Sequence, residues 1–165
     1  MQHKVIYIMG VSGSGKTTVG QELSKKTGYQ FYDADDFHSE SNKAKMKNGI
    51  ALTDEDRWPW LETIHQFVIE KLKTENIILV CSALKKVYRK KLSQSIEKSC
   101  RWFFLEGDYK TIQGRLDDRK GHYMPPGLLQ SQFDALEIPA RAKRIDIKLS
   151  PDAITDNIIS SINNS

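Results

Sequence analysis

Cysteine is scarce in this chain, and its spacing excludes as much as its number. Cys81 and Cys100 are the two present, and they form no Cys-x-x-Cys pair. A disulfide framework is therefore not implied, and a reduced, cytoplasmic setting is expected. No apolar run approaches the ~20 residues of a membrane span, so no membrane partner is expected. The opening Met1-Gln2-His3-Lys4 runs into apolar sequence without the features of a secretory signal. No internal repeat or low-complexity linker interrupts the 165 residues, so one domain over 1–165 is expected. Excess charge is also small: 25 Lys+Arg stand against 21 Asp+Glu, a net +4. That suits a protein handling anionic phosphates. A nucleic-acid partner is not expected, because it would want a clustered basic face with a recognition motif, and no such motif is present. What is there is ordinary for a globular protein: 39% hydrophobic and 28% charged residues, enough for a sizeable core.

One stretch organises the rest. Val5-Ile6-Tyr7-Ile8-Met9 reads as a buried strand, and Gly10-Val11-Ser12-Gly13-Ser14-Gly15-Lys16-Thr17 fits the phosphate-binding loop pattern without mismatch. A helix follows, with Val19 and Leu23 four apart and Gly28 at its C-cap. Gly10, Gly13 and Gly15 permit backbone torsions that a side chain would obstruct, so loop N–H groups can point inward at phosphate oxygens. The helix N-terminus, including Thr18, adds its positive dipole end. Lys16 can reach the β- and γ-phosphates, and the Thr17 hydroxyl can sit on magnesium. Binding of a nucleoside triphosphate with Mg2+ follows from this stretch.

Further along, Tyr29-Gln30-Phe31-Tyr32 alternates as a second strand and ends in Asp33-Ala34-Asp35-Asp36-Phe37-His38. Acids just beyond a strand's C-terminal end lie where open α/β sheets bind ligands. Alone they would read as a solvated turn. Beside a phosphate loop, one carboxylate suits the metal and another the acceptor hydroxyl. His38 either orients the substrate or caps a turn. Residues 39–58 look polar and irregular, and with Phe37, Trp58 and Trp60 they read as a substrate cap over about 37–60. Arg57 is either a structural ion pair or a fork for a substrate carboxylate. A helix is expected over 60–73. Ile77-Ile78-Leu79-Val80-Cys81 is a third, central strand, with Cys81 a small core residue. In the basic run that follows, Lys85 and Arg89 lie nearest the site.

Trp102-Phe103-Phe104-Leu105 reads as a fourth strand, followed by a helix over 109–116. The stretch from Arg115 to Pro126, with Arg119, reads as a cationic lid over about 117–127. Ile145-Asp146-Ile147-Lys148-Leu149 is an edge-like fifth strand, and Ser150-Pro151 opens a last helix as N-cap and first turn. The fold class is therefore α/β: a five-stranded parallel sheet with helices on both faces. A kinase for a small acceptor fits best. A kinase for shikimate or a nucleoside monophosphate, and a nucleotide-binding regulatory module without turnover, remain open at this point.

The chain also resembles the gluconokinase family of small phosphate-loop kinases over nearly its whole length. The segments that carry the likeness are Met9 to Thr17, Asp33 to His38, Asn42 to Met46, Leu52-Thr-Asp-Glu-Asp-Arg-Trp-Pro-Trp-Leu61, Cys81-Ser-Ala-Leu-Lys85 with Tyr88-Arg89, Gly121-His-Tyr-Met124, and Leu128-Leu-Gln-Ser-Gln-Phe133 with Leu136-Glu137 and Pro139. The resemblance implies transfer of the ATP γ-phosphate to the 6-hydroxyl of D-gluconate, a sheet order of 2-3-1-4-5 and a homodimer. It further implies that Asp33, with Thr17, holds magnesium through water, and that Asp35 faces the acceptor hydroxyl as base or orienter. Arg57, His38 and Lys85 would contact the sugar acid. Arg115 would lie against adenine, Arg119 on the phosphates, and Ser150-Pro151 beside the adenine. Three positions depart from the usual pattern, with Ala34 for Gly, Ser39 for Pro and Tyr123 for Phe. Ala34 suits the turn if its φ is negative, and Ser39 is expected to loosen the entry to the cap.

Overall fold

The computed structural model describes residues 2–119 and 126–165. Five strands, β1 (Val5–Met9), β2 (Gln30–Asp33), β3 (Ile77–Val80), β4 (Cys100–Glu106) and β5 (Lys143–Asp146), form one sheet in the order 2-3-1-4-5. All four pairings are parallel, with Val5 opposite both Ile77 and Cys100 in the central register. The helices are α1 (Lys16–Thr27), α2 (Glu40–Lys47), α3 (Asp54–Lys71), α4 (Lys86–Ser93), α5 (Tyr109–Asp117), α6 (Pro126–Ala135) and α7 (Pro151–Asn163).

The pleat of β1 divides the core in two. Ile6 and Ile8 face one side, with Val19 and Leu23 of α1, Ile112 of α5, and Ile154 and Ile158 of α7. Val5, Tyr7 and Met9 face the other, with Leu61, Ile64 and Val68 of α3 and Leu92 of α4. Both faces of β1 are closed to water, so its run of five apolar residues carries no polar alternation. Each fully buried aliphatic side chain contributes about 2 kcal/mol of transfer free energy, so the sheet centre is the rigid part. Its strand ends carry the loops that follow.

The stretch 39–58 differs from the irregular cap expected of it. Ser39 caps α2 by accepting from the Asn42 N–H at 3.1 Å, so serine here orders the entry to the cap instead of loosening it. α3 begins at Asp54, six residues earlier than the apolar periodicity indicates, with Pro59 inside it. A capping box explains the early start. The Thr53 hydroxyl accepts from the Asp56 N–H at 3.1 Å, and the Asp56 carboxylate accepts from the Thr53 N–H at 2.9 Å. Lys45 pairs with the same carboxylate at 2.9 Å, tying α2 to the first turn of α3. Among the described residues, no helix is long and apolar enough to cross a membrane.

Candidate active site

A cleft of about 890 Å³ opens at the C-terminal ends of β1, β2 and β3. Its floor is the phosphate loop. Gly13 and Gly15 adopt φ of +81° and +96°, and a Cβ on Gly13 would come within 2.9 Å of Leu116. Gly15 precedes α1 without a side chain to cap it, so the first N–H groups of that helix, through Thr18, are left for a ligand. The Lys16 ammonium folds back on its own loop, donating to the Gly10 carbonyl at 2.9 Å and the Val11 carbonyl at 3.0 Å. Burial pulls Lys16 below the usual lysine value, opposed by the carboxylates of Asp35 and Asp33. A half-buried cation held by carbonyls, above open helix N–H groups, is a seat for an anion.

One wall carries the acids. A short 3-10 turn over Ala34–Phe37 follows β2, and the Asp33 carboxylate caps it by accepting from the Asp35 N–H at 2.9 Å. Ala34 is buried and is not among the described non-glycine residues with positive φ, so alanine fits the turn. Asp35 projects into the cleft. Crowding by the cleft walls raises its carboxyl above the ordinary value, with Lys16 pulling the other way. Asp33 is raised as well, chiefly by burial. The His38 ring, 7% exposed, stacks on Trp60 at 4.1 Å with 13° between the planes. Burial and the nearby Arg57 push His38 down to about 4, so it is neutral near pH 7. The Trp60 indole N–H is anchored on the Ala34 carbonyl at 2.8 Å.

A second group in the lining carries the cations. Arg57 donates to the Leu52 carbonyl at 2.7 Å and to the Tyr88 hydroxyl at 3.3 Å, so its neighbours are a carbonyl and a phenol, not the surrounding acids. The Lys85 ammonium stands 3.2 Å from Asp54, whose carboxylate also accepts a short hydrogen bond from the Tyr88 hydroxyl. That bond and Lys85 hold Asp54 below the usual carboxylate range. Arg57, Lys85 and Asp54 all line the cleft.

The structure brings most of the expected residues together: Ser12, Gly13, Gly15, Lys16, Thr17, Asp33, Asp35, His38, Arg57, Lys85 and Arg119 share the cleft lining. It does not bring Arg89 there. Arg89 donates to the carbonyls of Ala83, Leu84 and Glu137 at 2.7, 3.1 and 3.0 Å, and these bonds use its fork to hold the turn after β3. That turn needs support, because Ala83 has φ of +46°. Gly10, Val11 and Ser14 are buried in the loop's own support. Arg115 stands beside the phosphate loop and donates to the Ile147 carbonyl at 2.6 Å. Ser150 and Pro151 are exposed at the start of α7, where the Ser150 hydroxyl accepts from the Ala153 N–H at 3.1 Å. Cys81 is buried and its thiol pushed up to about 12, which removes it as a nucleophile. Of the stretch expected to form a lid, Lys120 to Pro125, including Tyr123, lie outside the described residues.

Sequence reasoning did not single out Gln132 and Asp54, which line the cleft, or Tyr88, which is buried behind it. Gln132 on α6 accepts from the Ser12 N–H at 2.7 Å and donates to the Ser12 hydroxyl at 2.9 Å, clamping that helix to the phosphate loop. Its signal was the Ser-Gln-Phe segment. Asp54 and Tyr88 were visible only as members of matched segments.

A triphosphate-binding loop, a carboxylate pair and a two-cation wall at the carboxyl edge of a parallel 2-3-1-4-5 sheet define a small-molecule kinase of the phosphate-loop class. Residues 12–147 match the family model described as Shikimate kinase, which covers the fold at that level. Closer likeness lies elsewhere. A gluconokinase of Arabidopsis thaliana is 46% identical over 98% of this chain and 94% of its own length. The thermosensitive gluconokinase of Escherichia coli is 45% identical over 85% and 77%. The crystal structure of a gluconokinase from Sinorhizobium meliloti superposes with a TM-score of 0.87 at 38% identity, covering 98% of this chain and 92% of that one. The chain belongs to the gluconokinase family, whose kinase character implies use of ATP.

Proposed function

We propose that this protein transfers the γ-phosphate of ATP to the 6-hydroxyl of D-gluconate, giving 6-phospho-D-gluconate. The observation that carries the reading is one cleft that joins the phosphate loop, Asp35 and the Arg57–Lys85 wall. A sugar acid has one carboxylate and a row of hydroxyls. Arg57 and Lys85 suit the carboxylate, and Asp35 and His38 suit hydroxyls at the other end.

In this reading Lys16 leaves the Gly10 and Val11 carbonyls for the phosphates, and the loop N–H groups hold the β-phosphate. Asp35 takes the hydroxyl proton as attack proceeds. Arg119 neutralises charge on the transferred group, within a lid over about 117–127. Arg115, Ser150 and Pro151 border the adenine. The donor set of Thr17, a hydroxyl in the first turn of α1, and Asp33, a carboxylate at the end of β2, fits magnesium shared with the nucleotide. Magnesium would there supply neutralisation of the phosphate charge. We read residues 1–165 as one domain acting in the cytoplasm as a homodimer, an oligomeric state that light scattering tests.

The test of the reaction is ATP consumption with magnesium against gluconate, other aldonates, shikimate, glycerate and AMP. Phosphorylation of gluconate alone is expected, and it stops when magnesium is chelated. Turnover of shikimate or AMP in its place would overturn the acceptor. ATP binding with no turnover of any acceptor would overturn the kinase reading in favour of a regulatory module.

A further inference from the structure

Asn42 is 5% exposed on α2, a helix whose other side chains lie largely in solvent. Its amide nitrogen lies 2.9 Å from the Asp56 carbonyl oxygen and 3.3 Å from His38 Nδ1. A carbonyl oxygen can only accept, so the group facing Asp56 is the amide NH2, and the orientation of Asn42 follows from its neighbour. The second N–H of that NH2 meets His38 Nδ1, which must therefore present its lone pair. A neutral imidazole carries one N–H, so in His38 it sits on Nε2. The Trp60 stack fixes the ring plane, and Trp60 is itself anchored on Ala34, next to Asp35. Nε2 then points to the cleft, 3.9 Å from the Asp35 carboxylate. That is too long for a direct hydrogen bond, and it leaves room for a hydroxyl oxygen at about 2.8 Å from each group.

We propose that Asn42 is a positioning residue of the acceptor site: it locks His38 as the Nε2–H tautomer, so that one acceptor hydroxyl receives a hydrogen bond from His38 and gives its own to Asp35. A hydroxyl is the chemical group that can do both at once. The pair thus selects a polyol end over a carbonyl or carboxylate end, since neither of those can donate to Asp35. An apolar side chain at 42 would fill the space yet leave Nδ1 buried and unpaired, and the ring could then carry its proton on either nitrogen. The proposal rests on the reading in which Asp35 faces the acceptor.

The test is the nitrogen spectrum of the histidine side chains in uniformly 15N-labelled protein near pH 7.5, with His38 assigned by its loss in His38→Gln. The wild type is expected to show His38 neutral with its proton on Nε2. Asn42→Asp keeps size and shape but offers Nδ1 only an acceptor, so the proton moves to Nδ1 or the ring becomes charged. Its kcat/KM for gluconate is then expected to fall about 10- to 100-fold, with the KM for ATP unchanged within twofold. A wild-type spectrum with the proton on Nδ1 overturns the proposal whatever the variant does. So does a folded Asn42→Asp with an altered tautomer and unaltered gluconate kinetics. Absence of gluconate turnover in the wild type would overturn the functional reading instead, while the spectrum still decides the tautomer.

Discussion

At the phosphate end of the cleft, eight consecutive residues from Gly10 to Thr17 form the loop, and what they offer is mostly backbone. At the end we assign to the acceptor, His38, Arg57 and Lys85 come from the turn after β2, from α3 and from the turn after β3, with Asn42 of α2 packed behind His38, and what they offer is side chains. The phosphate end tolerates little variation because glycine torsions and N–H directions are set residue by residue. The acceptor end depends on how α2 and α3 dock, through the Lys45–Asp56 pair and the Asn42–Asp56 hydrogen bond. Binding a triphosphate is therefore a local property, and choosing the acceptor is a tertiary one.

The strongest way to break that division is Asp35→Asn, which should keep ATP affinity while lowering kcat about 10²- to 10⁴-fold. Isothermal titration and steady-state rates read the two separately, and near-normal turnover would remove Asp35 from the chemistry. Gly13→Ala probes the opposite end. Its φ of +81° and the 2.9 Å approach to Leu116 strain any Cβ, so ATP affinity should fall by at least ~10-fold and stability by ~1–3 kcal/mol. An unchanged ATP Kd would show that the loop can reshape around a side chain. Arg57→Ala should raise the gluconate KM by ~10-fold, a charged hydrogen bond's worth, and leave ATP alone. If neither changes, Arg57 serves only Leu52 and Tyr88.

The smallest effect concerns pH. His38 lies near 4 in the fold against 6.5 when unperturbed, so the unfolded chain takes up the extra proton between those values. The contribution to stability is complete above pH 6.5 and is lost as pH falls toward 4. Chemical denaturation of the wild type and His38→Gln across this range measures it. Parallel profiles would show that the ring is not held neutral by its surroundings.

The phosphate end and the sheet were legible because their rules are short-ranged. Five apolar residues mark β1, and the glycine spacing fixes which torsions follow. The acceptor cap was less legible. Pro59 hides the start of α3, since proline inside a helix normally signals its end, and here the Thr53–Asp56 capping box carries the helix through. Arg89 looked like a substrate contact because charge and position in the chain do not say where a long side chain points. Three carbonyls around a strained turn took it instead.

The sequence by itself determined the triphosphate loop, the parallel 2-3-1-4-5 sheet through its resemblance, and the acids that follow β2. Only the tertiary structure decided that the Asn42 amide meets His38 Nδ1, that Gln132 clamps α6 to Ser12, and that Lys85 and Tyr88 converge on Asp54. The physical reason is range. Backbone torsion and strand pattern are written in neighbouring residues, whereas a hydrogen bond between side chains 31 or 120 positions apart exists only once the core has brought their backbones together.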